Sequence, residues 1–188
     1  MSFCASTWQT VGPFFSIGTK PRYVTDLAGE KAEGGRIVIA GRIFDGDGVS
    51  IPDALLEIWQ ANRYGKYAHP ADTQDKPLDP NFLGHGRIPT DENGSFAFTT
   101  VKPGAVGKGK DLQAPHLLVG IMMRGLLRRL TTRIYFPNEA LNERDEILQL
   151  VEPSRRNTLL LARDEEHAGQ FRWDVHMQGE AETVFFDF

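Results

Sequence analysis

The chain has 188 residues, enough for one domain with a sizeable core, and 40% hydrophobic with 24% charged residues is an ordinary globular balance. A formal net charge of −4 argues against a nucleic-acid binder, and the most basic stretch, RGLLRRL (Arg124–Leu130), interleaves its arginines with leucines. No run nears the roughly 20 apolar residues of a membrane helix, no basic-then-apolar leader opens the chain, and the lone Cys4 allows neither an internal disulfide nor a cysteine-based zinc site. A cytoplasmic protein without a membrane partner is expected.

In chain order, residues 1–35 read as an N-terminal arm, irregular and polar from Arg22 to Gly35. RIVIAGRIF (Arg36–Phe44) is a strand running into the turn DGDG. ALLEIWQA (Ala54–Ala61) is a second strand. Asn62 to Arg87 reads as a long loop with Pro70, Pro77 and Pro80, and its embedded Tyr64, Tyr67, His69, Phe82 and His85 favour order. DENG then turns the chain into the strand SFAFTTV, followed by HLLVGIMM (His116–Met123) and RLTTRIYF (Arg129–Phe136). NEALNERDEILQLV is the one helical candidate, with apolar spacing good for one or two short turns. NTLLLARD, FRWDVHM and ETVFFDF read as three closing strands, and the aromatic end suits either a core strand or half of an oligomer contact. Short strands, glycine-rich turns and no βαβ rhythm predict a single all-β sandwich of mostly antiparallel strands, with long ordered loops and little helix.

Two residues carry metal chemistry by type. In a strand, residues i and i+2 share a face, so a His-x-His pair can put two imidazoles on one ion. Here His116 is followed by Leu118, which ligates nothing. Tyr67 offers a hard anionic phenolate suited to a trivalent iron, and imidazole suits iron among other ions. Against these readings, Tyr67 is expected to pack at a loop base and His116 to be a satisfied interior histidine. His69 and His85 lack a spaced partner and read as loop hydrogen-bonders. Trp59 and Trp173 fit core or interface packing.

TVGPFF, LLEIWQANRYGKYAH, LDPNFLGHGRIPTDENGSFAFTTVKPG, APHLLVGI, RIYF and QGEAETVFFDF, in that order and spacing, resemble the intradiol ring-cleavage dioxygenases from Trp8 to Phe188. Within them the chain is most similar to a non-iron-binding subunit. In the family's catalytic chain, two tyrosines and two histidines hold a non-haem ferric ion. The resemblance puts Tyr67 on the first tyrosine, Val106 on the second, His116 on the first histidine and Leu118 on the second. Gln113 stands where an arginine stabilises the developing substrate anion. The resemblance therefore implies no catalytic residue and no metal on this chain, with Fe(III) on a homologous beta partner in a higher oligomer of paired chains. It implies that the assembly opens protocatechuate with O₂ in the beta-ketoadipate route of aromatic catabolism.

The resemblance also implies that this chain helps line the substrate mouth. Thr10, Gly12 and Pro13 are candidates, with a hydroxyl, a close backbone approach and a fixed φ. Arg133 is the other, because a guanidinium fork matches the substrate carboxylate. Arg133 and Arg129 share a face with Thr131 and Tyr135, and pattern alone does not separate them. The arm alternatively packs on a neighbour, and Arg133 alternatively is solvated or pairs between subunits. Two rival readings are a self-sufficient intradiol enzyme for another catechol and a non-enzymatic β-sandwich binding module.

Overall fold

Branched and aromatic residues at alternate positions give strands with one apolar face each, and two such faces bury one another. The computed structural model describes Cys4 and residues 6–187. One sheet runs in the order β4 (Ser95–Val101), β1 (Arg36–Phe44), β8 (Gln170–Arg172), β7 (Ala162–Arg163), with β9 (Val175–His176) also on β1. The other runs β3 (His85–Pro89), β2 (Leu55–Trp59), β5 (His116–Met122), β6 (Leu130–Tyr135). All pairings are antiparallel except those of β8 and β9 on β1. Ile37, Ile39, Phe96 and Phe98 face Leu56, Ile58, Leu117, Val119, Ile121 and Ile134 in one core. Each such side chain, fully buried, stabilises the fold by roughly 1.5–3 kcal/mol. The architecture is the expected mostly-β sandwich.

The strands expected over 36–44, 95–101, 116–123 and 129–136 form within a residue or so, and the helical candidate becomes a 3₁₀ turn (Ala140–Glu143) and the one-turn α2 (Glu146–Gln149). Four expectations need correction. β3 begins inside the last three residues of the stretch read as loop and runs two residues past it, because HGRIP mixes Gly and Pro with few apolar residues, so pattern hid an edge strand. Of NTLLLARD only Ala162–Arg163 form a strand, β7; its first three residues close a 3₁₀ run, Pro153–Leu159, whose Pro153 presets a helical φ at the start. ETVFFDF is not a strand: the Phe186 amide bonds the Thr131 carbonyl at 2.7 Å in an isolated bridge and the Thr183 amide bonds the His176 carbonyl at 2.9 Å, while Phe185 packs on the core and Phe188 lies outside the described residues. FRWDVHM breaks into β8 and β9 at the buried Trp173, whose indole N–H donates to the Thr158 carbonyl at 2.9 Å.

The segment 1–35 has two parts. Helix α1 (Phe14–Thr19), which the pattern FFSIGT did not announce, buries none of its residues. Phe14 is 81% exposed and Ile17 66%. From Val24 onward the chain joins the sandwich. Val24 bridges to Arg87, Asp26 to Thr99, and Leu27 and Ala28 are fully buried.

Candidate functional site

Because Leu117, Val119 and Ile121 face the core, His116, Leu118 and Gly120 face outward from β5. Strand register then fixes their neighbours. Trp59 and Arg133 flank Leu118 from β2 and β6, and Tyr135 stands beside His116. Tyr67 reaches this same face from the loop after β2, its ring stacked on Trp59 with centroids 5.7 Å apart and planes 8° from parallel.

The Tyr67 loop is held by internal polar contacts. The Tyr67 amide donates to Asp72 Oδ2 at 2.7 Å, the Lys66 ammonium donates to the Asp72 and Gln74 carbonyls, and that of Lys76 to the Ala105 carbonyl. Burial alone would raise the Asp72 carboxyl, but hydrogen bonds from the Tyr67 and Gln74 amides outweigh it and hold it at about 2. Gly65, at φ +79°, lets the loop turn against the Ala105 carbonyl where a Cβ would collide.

His116 is buried, with Nδ1 at 2.7 Å from the Ala114 carbonyl. A carbonyl only accepts, so Nδ1 carries the proton and Nε2 is the acceptor. Burial first, then the Arg133 charge, pulls the imidazole down to about 4, so it is neutral at neutral pH. Burial raises the Tyr67 phenol, with Arg133 working in the opposite direction. Val106 is paired through its backbone with Gln113.

Arg133 is 9% exposed, so it is not a solvated surface arginine. Its Nη1 donates to Gln113 Oε1 at 2.9 Å and to the Tyr135 hydroxyl at 3.4 Å. The Tyr135 hydroxyl in turn donates to Asp145 Oδ1 at 3.1 Å. The structure thus gathers Tyr67, Val106, His116, Leu118, Gln113 and Arg133 on one outer sheet face. Arg129 separates cleanly: it lies over Gly120, 3.6 Å from Glu57, with its side chain 41% exposed. Thr10, Gly12 and Pro13 sit elsewhere. The Thr10 hydroxyl accepts from the Gly125 amide at 2.9 Å, beyond the far end of β5. Pro13 caps α1 rather than edging a loop, and nothing among the described residues comes within 4 Å of a Cβ built on Gly12. One chain does not bring the arm and Arg133 into a common pocket.

A ferric ion does not fit these residues. Of the four residues that the resemblance puts at ligand positions, Val106 and Leu118 offer only hydrocarbon, and the Arg133 guanidinium stands beside Leu118 across the strand pair. Among the described residues no group of three or more His, Cys, Asp and Glu side chains is disposed to hold a metal. Sequence reading missed Asp145, whose signal was an Asp directly before the short helical run, and Tyr135, noted on the Arg133 face but given no role. No helix among the described residues is long and apolar enough to cross a membrane.

Comparison with known proteins agrees with this geometry. The family described as Dioxygenase matches residues 11–179. The chain is 39% identical over 193 residues to the protocatechuate 3,4-dioxygenase alpha chain of Burkholderia cepacia, covering 95% of each. It is 37% identical over 158 residues to the beta chain from the same organism, covering 80% of this chain and 67% of that one. The intradiol ring-cleavage dioxygenase of Tetranychus urticae superposes with a TM-score of 0.65 at 18% identity, covering 82% of this chain and 85% of that one, which speaks to fold alone. With sandwich fold and sequence similarity in agreement, this chain belongs to the intradiol ring-cleavage dioxygenase family.

Proposed function

We propose that the chain is the alpha, non-iron-binding subunit of a protocatechuate 3,4-dioxygenase, a single sandwich domain whose homologous beta partner holds the non-haem Fe(III). The observation that carries this reading is the ligand set itself: Tyr67 and His116 remain, while Val106 and Leu118 offer only hydrocarbon. Similarity to alpha chains over nearly the whole length supports it. Similarity to a beta chain supports a partner of the same fold. The assembly opens the protocatechuate ring with O₂ between its two hydroxylated carbons to 3-carboxy-cis,cis-muconate, in aromatic catabolism through the beta-ketoadipate pathway, in the cytoplasm. Both oxygen atoms end in the product, so no further reductant is needed.

In this reading Thr10, Gly12 and Pro13 line the partner's substrate mouth. The open space over Gly12 and the bare apolar face of α1 support an approach from outside the chain. Direct recognition of the substrate carboxylate by Arg133 is one reading of that residue. It requires the guanidinium to turn toward the partner. A larger loss of kcat/KM for protocatechuate than for catechol in Arg133→Ala would favour it.

Affinity purification of the full chain from its native cells tests the assignment. The expected result is a stoichiometric homologous chain with both tyrosines and both histidines intact, in an assembly of several paired chains. Recovery of the chain alone and active on a catechol would favour a self-sufficient enzyme. Recovery alone and inert would favour a binding module.

A further inference from the structure

The former metal site still contains a cation. Arg133 projects from β6 directly across from Leu118, the position that lost its imidazole. Its Nη1 is bonded to Gln113, which is itself paired to Val106, and to Tyr135, the cross-strand neighbour of His116. Behind it the Tyr135 hydroxyl passes the contact to the buried Asp145, whose other oxygen accepts the Ala114 amide at 2.8 Å. A buried guanidinium persists only where acceptors and an opposite charge surround it. Here Gln113 and Tyr135 supply acceptors directly, and Asp145 supplies the opposite charge one hydrogen bond further on, through Tyr135.

We propose that the Arg133 guanidinium is the resident cation of this chain's former metal site, and that it bars a metal ion even when the lost ligands are restored. A ferric ion placed among Tyr67, Val106, His116 and Leu118 would sit beside a fixed positive charge. Its triple charge makes that repulsion three times that between two unit charges. Arginine does not shed its proton to relieve the clash. Loss of the metal was therefore not only loss of two ligands; the cation was replaced. The inference concerns this chain's own residues and does not depend on the identity of the partner.

The test uses the full chain in four forms: unaltered, Val106→Tyr/Leu118→His, and that pair combined with Arg133→Met or with Arg133→Lys. Each is checked for cooperative melting, loaded with ferric citrate and washed with chelator. Retained iron and the visible tyrosinate-to-iron band are then measured. The ligand-restored pair and its Lys form stay colourless and empty, whereas the Met form retains stoichiometric iron and colour. Stoichiometric iron in the pair with Arg133 present would overturn the proposal, as would a folded Met form that stays empty. Should the ligand-restored forms fail to fold, Arg133→Ala in the otherwise unaltered chain decides. Low millimolar guanidinium ion should then raise its melting temperature, with no such gain from equal urea or in the unaltered chain. Absence of that selective rescue would also overturn the proposal.

Discussion

Replacing Asp145 with Ala should cost far more than its place in a short surface helix suggests. The residue is fully buried and takes three hydrogen bonds. Oδ2 accepts the Ala114 amide at 2.8 Å, and Oδ1 accepts the Leu148 amide at 2.9 Å and the Tyr135 hydroxyl at 3.1 Å. The Leu148 contact is an N-cap, whose loss costs about 1 kcal/mol. The buried Ala114 amide, left without its acceptor, costs about 1–3 kcal/mol. The Tyr135 hydroxyl loses its charged acceptor, and the Arg133 guanidinium loses the negative charge beyond it, adding about 1–2 kcal/mol. The expected loss is therefore about 3–6 kcal/mol, a large part of a typical domain's 5–15 kcal/mol. Asp145→Asn keeps one carbonyl oxygen for Leu148 and Tyr135 but turns an NH₂ toward the Ala114 amide, so it should lose only about 1–3 kcal/mol. Urea unfolding at fixed protein concentration measures both, with unchanged m showing that stability alone has moved. An Asp145→Ala chain within about 1 kcal/mol of the unaltered one would refute the reasoning, as would equal losses for Ala and Asn.

Three further outcomes are expected. His116 titrates near 4 in the folded chain against an ordinary 6.5. The unfolded chain binds that proton first, so this contribution is complete above pH 6.5 and falls by about 3 kcal/mol as pH drops toward 4; His116→Gln should flatten urea-measured stability across that window. Phe14→Asp and Ile17→Asp should leave the isolated chain within about 0.5 kcal/mol of its normal stability, since both side chains are exposed, yet weaken assembly by about 2 kcal/mol or more in native mass titrations. Gly41→Ala drives a Cβ into the Trp173 backbone carbonyl and should cost about 2 kcal/mol or more in urea unfolding; Gly120→Ala meets only the Arg129 side-chain end, which can swing aside, and should cost under about 1 kcal/mol.

The long strands were legible because they are runs rich in β-branched and aromatic residues that end in turn signals, as in RIVIAGRIF before DGDG. β3 was not, since an edge strand of Gly, Arg and Pro has little alternation to read. Helix α1 was not, since it buries no side chain and so imposes no amphipathic spacing on FFSIGT. At the site, Tyr67, His116 and the gaps at Val106 and Leu118 could be named from residue type, strand spacing and resemblance. The surroundings of Arg133 could not. RLTTRIYF puts arginine and tyrosine on one face, which resembles a solvent face. That face is covered instead by the segment around Asp145, and only register across β5 and β6 places Leu118 beside Arg133. Resemblance likewise put the arm and Arg133 at one substrate mouth, whereas within the chain they lie near opposite ends of β5.

The central claim is that the chemistry of this protein resides on its partner. Metal analysis combined with oxygen uptake on protocatechuate, for the chain alone, the homologous partner alone and the two together, tests it most directly. The account predicts that iron follows the partner, that this chain alone holds none and consumes no oxygen, and that full turnover returns when the two are combined. Tightly held stoichiometric ferric iron and ring cleavage by this chain alone would contradict it.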